Sequence, residues 1–135
     1  MNQERFQDVV DLQRAVTAEW LVERLPLRRW PIGVELDFQN AVAEWLNRQD
    51  VRYEREYHLR EADIIDFYFP DGRIGLELKV KGSPAAVMRQ LQRYARSPEV
   101  DALILMTGHA SLAAGCADML AGKPVHVVAT WAGGL

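Results

Sequence analysis

Residues 63–80 read Asp63-Ile-Ile-Asp66-Phe-Tyr-Phe69-Pro-Asp-Gly-Arg73-Ile-Gly-Leu-Glu77-Leu-Lys79-Val80. Two runs of alternating character flank a Pro-Asp-Gly-Arg break, which is the pattern of a β-hairpin. Ile65, Phe67 and Phe69 form the apolar side of the first run, leaving Asp66 and Tyr68 opposite. Ile74, Leu76, Leu78 and Val80 form that of the second, leaving Gly75, Glu77 and Lys79 opposite. Matching the apolar sides pairs Phe69 with Ile74, Phe67 with Leu76 and Ile65 with Leu78, and a two-residue Asp-Gly loop gives the same register. Pro70 would also suit a type I turn with a Gly72 bulge, one residue out of step. Burial decides between them, because a one-residue slip exposes every core side chain. The expected hairpin therefore sets Asp66 directly across from Glu77, with Lys79 further along the same face.

Downstream, Ser83-Pro84 is an N-cap with proline at the first helical position. The helix it opens runs to about Arg96, and Pro98 lies just beyond. Ala102-Leu-Ile-Leu-Met106 is a continuous apolar run, as expected of a strand covered on both faces. A helix from about Ser111 to Leu120, a stop at Gly122 and a strand Val125–Ala129 complete this side. Upstream, a helix is predicted from about Val34 to Asn47, followed by a half-buried strand in which Val51, Tyr53, Tyr57 and Leu59 alternate with polar residues. The first 25 residues carry a helical stripe of Phe6, Val9, Val10, Val16, Trp20, Leu21 and Leu25, ended by Pro26 and Pro31. The order predicts an α/β fold with a mixed central sheet: an N-terminal amphipathic helix and linker over 1–31, then a layered domain over 32–135.

The 135 residues suit one domain, with 49% hydrophobic and 26% charged side chains. Cys116 is the only cysteine, which excludes an intrachain disulfide and Cys-rich metal sites. No apolar run reaches the roughly 20 residues of a membrane span. Glu4, Asp8 and Asp11 interrupt the start of the chain, so no signal peptide is expected there and a cytoplasmic location is. The net charge is −3, but it is unevenly spread. Over 72–96, Arg73, Lys79, Lys81, Arg89, Arg93 and Arg96 face Glu77 alone, a local basic patch compatible with a polyanion or with a solvated helix face.

Two carboxylates opposed on a sheet repel each other, and a divalent cation is the usual reason to hold them together. Mg²⁺ takes one or two carboxylates together with waters and phosphate oxygens. A lysine beside it can stabilise developing negative charge or position an attacking water. Asp66, ten residues, then Glu77-Leu78-Lys79 resembles the signature of the PD-(D/E)XK nuclease superfamily, whose fold is restriction-endonuclease-like with an αβββαβ core. The likeness spans about 33–108. It takes in Glu35 of an upstream Glu-x-x-x-Gln and Gln90-Leu-Gln-Arg-Tyr94, similar to the QxxxY motif of some branches. Ile65 stands where the family name has proline.

The resemblance implies a Mg²⁺-dependent deoxyribonuclease, with Mn²⁺ substituting, that leaves 5′-phosphate ends by structure-directed or non-specific cutting. It implies Asp66 and Glu77 as metal carboxylates with the Leu78 carbonyl as a further ligand, and Lys79 as the residue that orients the water. Glu35 would serve a second metal or its water. Gln90 and Tyr94 would orient Lys79 or touch the scissile phosphate. Lys81, Arg89 and Arg93 are the candidate DNA contacts. Asp63 competes with Asp66, but its parity sets it on the apolar side. Glu44 competes with Glu35 but sits among Asp37, Asn40 and Arg48 on a solvated face, and Glu35 reads equally as a helix-start carboxylate. His58, His109 and His126 have no ligand spacing. A non-catalytic DNA-binding or protein-interaction module of the same fold is the alternative, and the N-terminal stripe either packs on its own domain or makes a homodimer.

Overall fold

The computed structural model describes residues 16–60 and 62–130, with Arg60 described by its backbone alone. Helix α1 (Ala18–Arg24) runs into a 3₁₀ turn (Leu25–Leu27), and α2 (Glu35–Arg48) follows. Strands β1 (Glu54–Arg60), β2 (Asp63–Phe69) and β3 (Ile74–Lys79) precede α3 (Pro84–Ala95) and β4 (Ala102–Thr107). A short α4 (Ala110–Ala114), β5 (Met119–Leu120) and β6 (Lys123–Ala129) end the described chain. The six strands form one mixed sheet in the order β1-β2-β3-β4-β6-β5. Strands β3, β4 and β6 are parallel neighbours, and the other pairings are antiparallel.

Helices cover both faces. Leu21, Leu25, Phe38, Trp45 and Leu46 pack against Phe67, Phe69, Leu76 and Leu78 on one face. Val87, Leu91, Tyr94 and Leu112 pack against Ile65, Leu103, Leu105 and Val125 on the other. All six residues of β4 are buried, so its sequence has no polar alternation. In the β2–β3 hairpin, Phe69 pairs with Ile74 and Phe67 with Leu76, the register expected from burial. A one-residue slip of β2 against β3 would turn either Phe67 and Phe69 or Leu76 and Leu78 out of the first core, at roughly 1.5–3 kcal/mol for each fully buried side chain that becomes exposed. That sum exceeds any preference of the turn.

The turn itself differs from the expected Asp-Gly loop. Pro70–Arg73 is a four-residue connection in which Arg73, with φ of 55°, takes the left-handed conformation. Gly72 serves proximity instead: a Cβ there would lie 2.6 Å from both the Val16 carbonyl oxygen and Ile74 Cδ1. Three further expectations are corrected. The helix expected over 1–25 is not continuous, because Thr17 is extended and its side chain caps α1 by accepting from the Trp20 N–H; residues 1–15 lie outside the described chain. The helix expected over 111–120 stops at Ala114, and Met119–Leu120 instead turns back through Ala121 and Gly122, both with positive φ, to pair with β6. The strand expected to start near Val51 starts at Glu54. Val16, Leu21 and Leu25 belong to the same core as the sheet, so the described part of the N-terminal stripe packs inward.

Candidate active site

The site lies where β2 and β3 part. Beyond Phe67↔Leu76 the main-chain ladder ends, and side chains take over its hydrogen bonds. The Leu78 N–H donates to Asp66 Oδ2 at 2.8 Å, and the Asp66 N–H donates to Glu77 Oε1 at 3.4 Å. Asp66 and Glu77 thus meet as expected, but as bridging side chains in a gap. The other flank of β2 is irregular at the same level. Glu56, between Arg55 (opposite Phe67) and Tyr57 (opposite Ile65), has φ of 54°, a left-handed conformation that costs a non-glycine residue free energy. The pleat is interrupted there, with a consequence that corrects the parity argument. Ile65 joins the second core with Tyr68, away from Phe67 and Phe69. Tyr57 stacks on Tyr68 at 4.3 Å between ring centroids.

Helix α2 supplies the far wall. Gln39 Nε2 donates to Asp66 Oδ1 at 3.1 Å, so both Asp66 oxygens are held. Gln39 is the fourth residue after Glu35, the glutamine of the Glu-x-x-x-Gln segment, and i,i+4 spacing put it on the Glu35 face. That spacing was the signal for it, and sequence reasoning assigned it no role. Glu35 is half-buried at the start of α2 and close enough for its charge to act on Asp66.

Burial governs the electrostatics. Glu77 is 3% exposed, and its carboxyl is pushed well above the ordinary glutamate range, first by desolvation and then by the Asp66 charge. Lys79 opposes that shift, with Nζ 3.1 Å from Glu77 Oε2. Asp66 is also pushed up by desolvation, opposed by the Leu78 N–H and Lys79 and reinforced by Glu35. Among the described residues no three His, Cys, Asp or Glu side chains converge as a metal-binding group, so Glu35 does not join Asp66 and Glu77 in a common set. The donor chemistry of the pair still fits a hard divalent cation. Two desolvated carboxylates share one lysine, and Mg²⁺ binds through one or two protein carboxylates while keeping its waters.

Helix α3 borders the site on the second face. Lys79, Lys81, Gln90 and Arg93 line a cavity of about 310 Å³ beside the carboxylates. Arg93 is half committed, since its Nε donates to Asp63 at 3.0 Å. Asp63, the competitor of Asp66, is therefore an ion-pair partner outside the cleft. Arg89 is exposed. Tyr94 is 1% exposed and its hydroxyl donates to the Ile64 carbonyl at 2.8 Å. Burial, then the Glu77 and Asp66 charges, raise its pKa and keep it neutral. Its hydroxyl is thus committed to the β2 main chain, and among the described residues no hydrogen bond joins it to Lys79. No protein-family model, curated protein or solved structure matches this chain.

Proposed function

We propose that this chain is a divalent-cation-dependent DNA nuclease with a PD-(D/E)XK-type centre in a restriction-endonuclease-like domain. The observation that carries the reading is the pair of buried carboxylates, Asp66 and Glu77, gathered with Lys79 where the β2–β3 ladder opens. Isolation of two carboxylates from water costs several kcal/mol per ion unless a counter-charge is present, and among the charges only Lys79, with a smaller contribution from Arg55 on Asp66, opposes that cost. Asp66, Glu77 and the Leu78 carbonyl are the groups that would hold Mg²⁺, which when bound supplies the positive charge that acidifies water and neutralises the leaving oxygen. Lys79 donates hydrogen bonds to the attacking water or a phosphate oxygen. Gln39 and the Leu78 N–H fix the orientation of Asp66, so that its lone pairs point into the gap at no cost in reorganisation. Lys81 and Gln90 offer donors to the phosphates on either side of the one that reacts. Arg89 adds long-range attraction for the backbone.

The test is cutting of plasmid and linear DNA by the purified chain with Mg²⁺ or Mn²⁺. Asp66→Asn and Lys79→Ala should each abolish cutting while circular dichroism and the melting transition remain those of a folded protein. Undiminished activity in Asp66→Asn would remove this site from consideration.

A further inference from the structure

The two edges of the sheet are built differently. Along β1, Glu54, Arg55, Glu56 and His58 put charged or ionisable side chains on the edge strand, and the left-handed Glu56 breaks its pleat. Charge and irregularity of this kind keep an edge from pairing with another chain. The opposite edge has neither. Strand β5 covers only the start of β6, pairing at Lys123 and Pro124, and the Val125 N–H donates to the Asp118 carbonyl at 2.9 Å. Beyond that point β6 is the outermost strand among the described residues. Successive residues of a strand send their main-chain groups to opposite sides. The Thr130 N–H turns inward to the Thr107 carbonyl and the Val125 N–H outward, so the N–H and C=O groups of Val127 and Ala129 face outward. Among the described residues no strand pairs with them on that side.

The side chains beside this edge are equally unguarded. Val127, half-buried, and Ala129, exposed, line a cavity of about 450 Å³ together with Ala110 and Ala113 of α4. Residues 124–130 and 110–114 include no Asp, Glu, Lys or Arg. A nucleic-acid backbone finds no lysine or arginine here, and a charged peptide finds no counter-charge. A neutral extended strand answers both features, with main-chain partners for Val127 and Ala129 and an apolar side chain for the cavity. The chain itself carries such a strand in the same place. Two copies of β6 related by a two-fold axis run antiparallel and present the same patch to each other. Centring the axis on Val128 sets Val127 of each copy opposite Ala129 of the other. Each facing pair then exchanges both of its N–H···O bonds, and no like charges are opposed.

We propose that the open edge of β6, with the cavity beside α4, is where a second copy of this chain docks, joining the two sheets into one. This surface is distinct from the N-terminal stripe, and the proposal does not depend on the nuclease reading. Lys79, Thr107 and Ala129 lie level across β3, β4 and β6. The pairing therefore sets the two candidate centres on one face, about 24 Å apart before twist at about 4.8 Å per strand spacing. The experiment is sedimentation velocity on the full chain, with amide exchange followed at both ends of the concentration range. The wild type should pass from monomer at about 1 µM to dimer at about 200 µM, as suits an interface of the smaller class. The Val127 and Ala129 amides should exchange more slowly in the dimer. Ala129→Pro removes an outward donor without touching the ladder to β4, and Val127→Lys puts a charge on the edge. Each should hold the chain monomeric across the range while its melting transition in dilute solution stays that of a folded protein. A wild type that stays monomeric throughout would overturn the docking. So would a dimer that survives either variant, or one in which the Val127 and Ala129 amides exchange as freely as in the monomer. Slow exchange of those amides already in the monomer would mean that the edge is covered within one copy, and would overturn it too.

Discussion

Glu77→Gln separates the cost of the site from its use. In the folded chain the Glu77 carboxyl is raised from 4.5 to about 8, chiefly by burial. In the unfolded chain it ionises near 4.3. The folded state therefore holds a proton that the unfolded state has released, and the associated stability is complete below about pH 4. It is lost progressively as pH rises through the folded value. Taken alone, a rise from near 4.5 to about 8 would correspond to roughly 5 kcal/mol. Asp66 and Lys79 share the same proton equilibrium, so about 2 kcal/mol is the expected part removed by one substitution. Glutamine has the same shape and no charge to bury, so the variant escapes this loss. Metal-free Glu77→Gln should match wild type within about 1 kcal/mol at pH 5 and exceed it by about 2 kcal/mol at pH 9, a difference of roughly 5–10 °C in Tm for a chain of this size. Taking the difference between the two proteins at each pH cancels every titration that is not coupled to Glu77. Mg²⁺ should restore wild type at pH 9 and leave the variant unchanged. A wild-type-minus-variant curve that is flat from pH 5 to 9 would refute the claim that burial of Glu77 outweighs its ion pair with Lys79.

Four further outcomes are expected. Tyr94→Phe should cost about 1 kcal/mol, the worth of one buried hydrogen bond, and keep cutting within about tenfold, as chemical denaturation and initial rates would show. Ca²⁺ should support DNA binding without turnover in anisotropy and cleavage assays run side by side, because it coordinates loosely and activates water poorly. Lys81→Gln/Arg89→Gln should lower the slope of log affinity against log salt by about 1.8 if both contact phosphates; an unchanged slope returns them to solvent. Gly75→Ala should destabilise by about 1–3 kcal/mol, because its Cβ would lie 2.8 Å from Ile65 Cδ1 and 3.0 Å from Leu103 Cδ2; denaturant midpoints measure it.

Alternation alone was enough to set the hairpin, since only one register of Phe67, Phe69, Leu76 and Leu78 buries all four. Ser83-Pro84 marked the start of α3, where the Ser83 hydroxyl accepts from the Ala86 N–H. The unbroken apolar run of β4 announced a strand covered twice. These signals are local and periodic, and each is written in a few adjacent residues. The carboxylates were legible for the same reason: register fixes which residues face each other.

What tertiary structure decided is where that local logic is overridden. Period-two counting grouped Ile65 with Phe67, but the left-handed residue at Glu56 and the opened ladder at Asp66 send Ile65 to the other core. No propensity marks Glu56 for that conformation. Gln39 could be seen sharing a helix face with Glu35, yet its bond to Asp66 spans 27 residues and depends on how α2 crosses the sheet. Tyr94 shares a helix with Gln90, and only packing shows that one lines the cleft while the other lies behind it. The sequence determined five of the six strands and the Phe69↔Ile74 and Phe67↔Leu76 register of the hairpin, because side-chain period and burial act between near neighbours; it set Met119–Leu120 in a helix and paired Ile65 with Leu78, and neither holds. The raised carboxyls of Asp66 and Glu77 and the different surroundings of Gln90 and Tyr94 come from distant segments pressing on one another, and only the assembled fold contains those contacts.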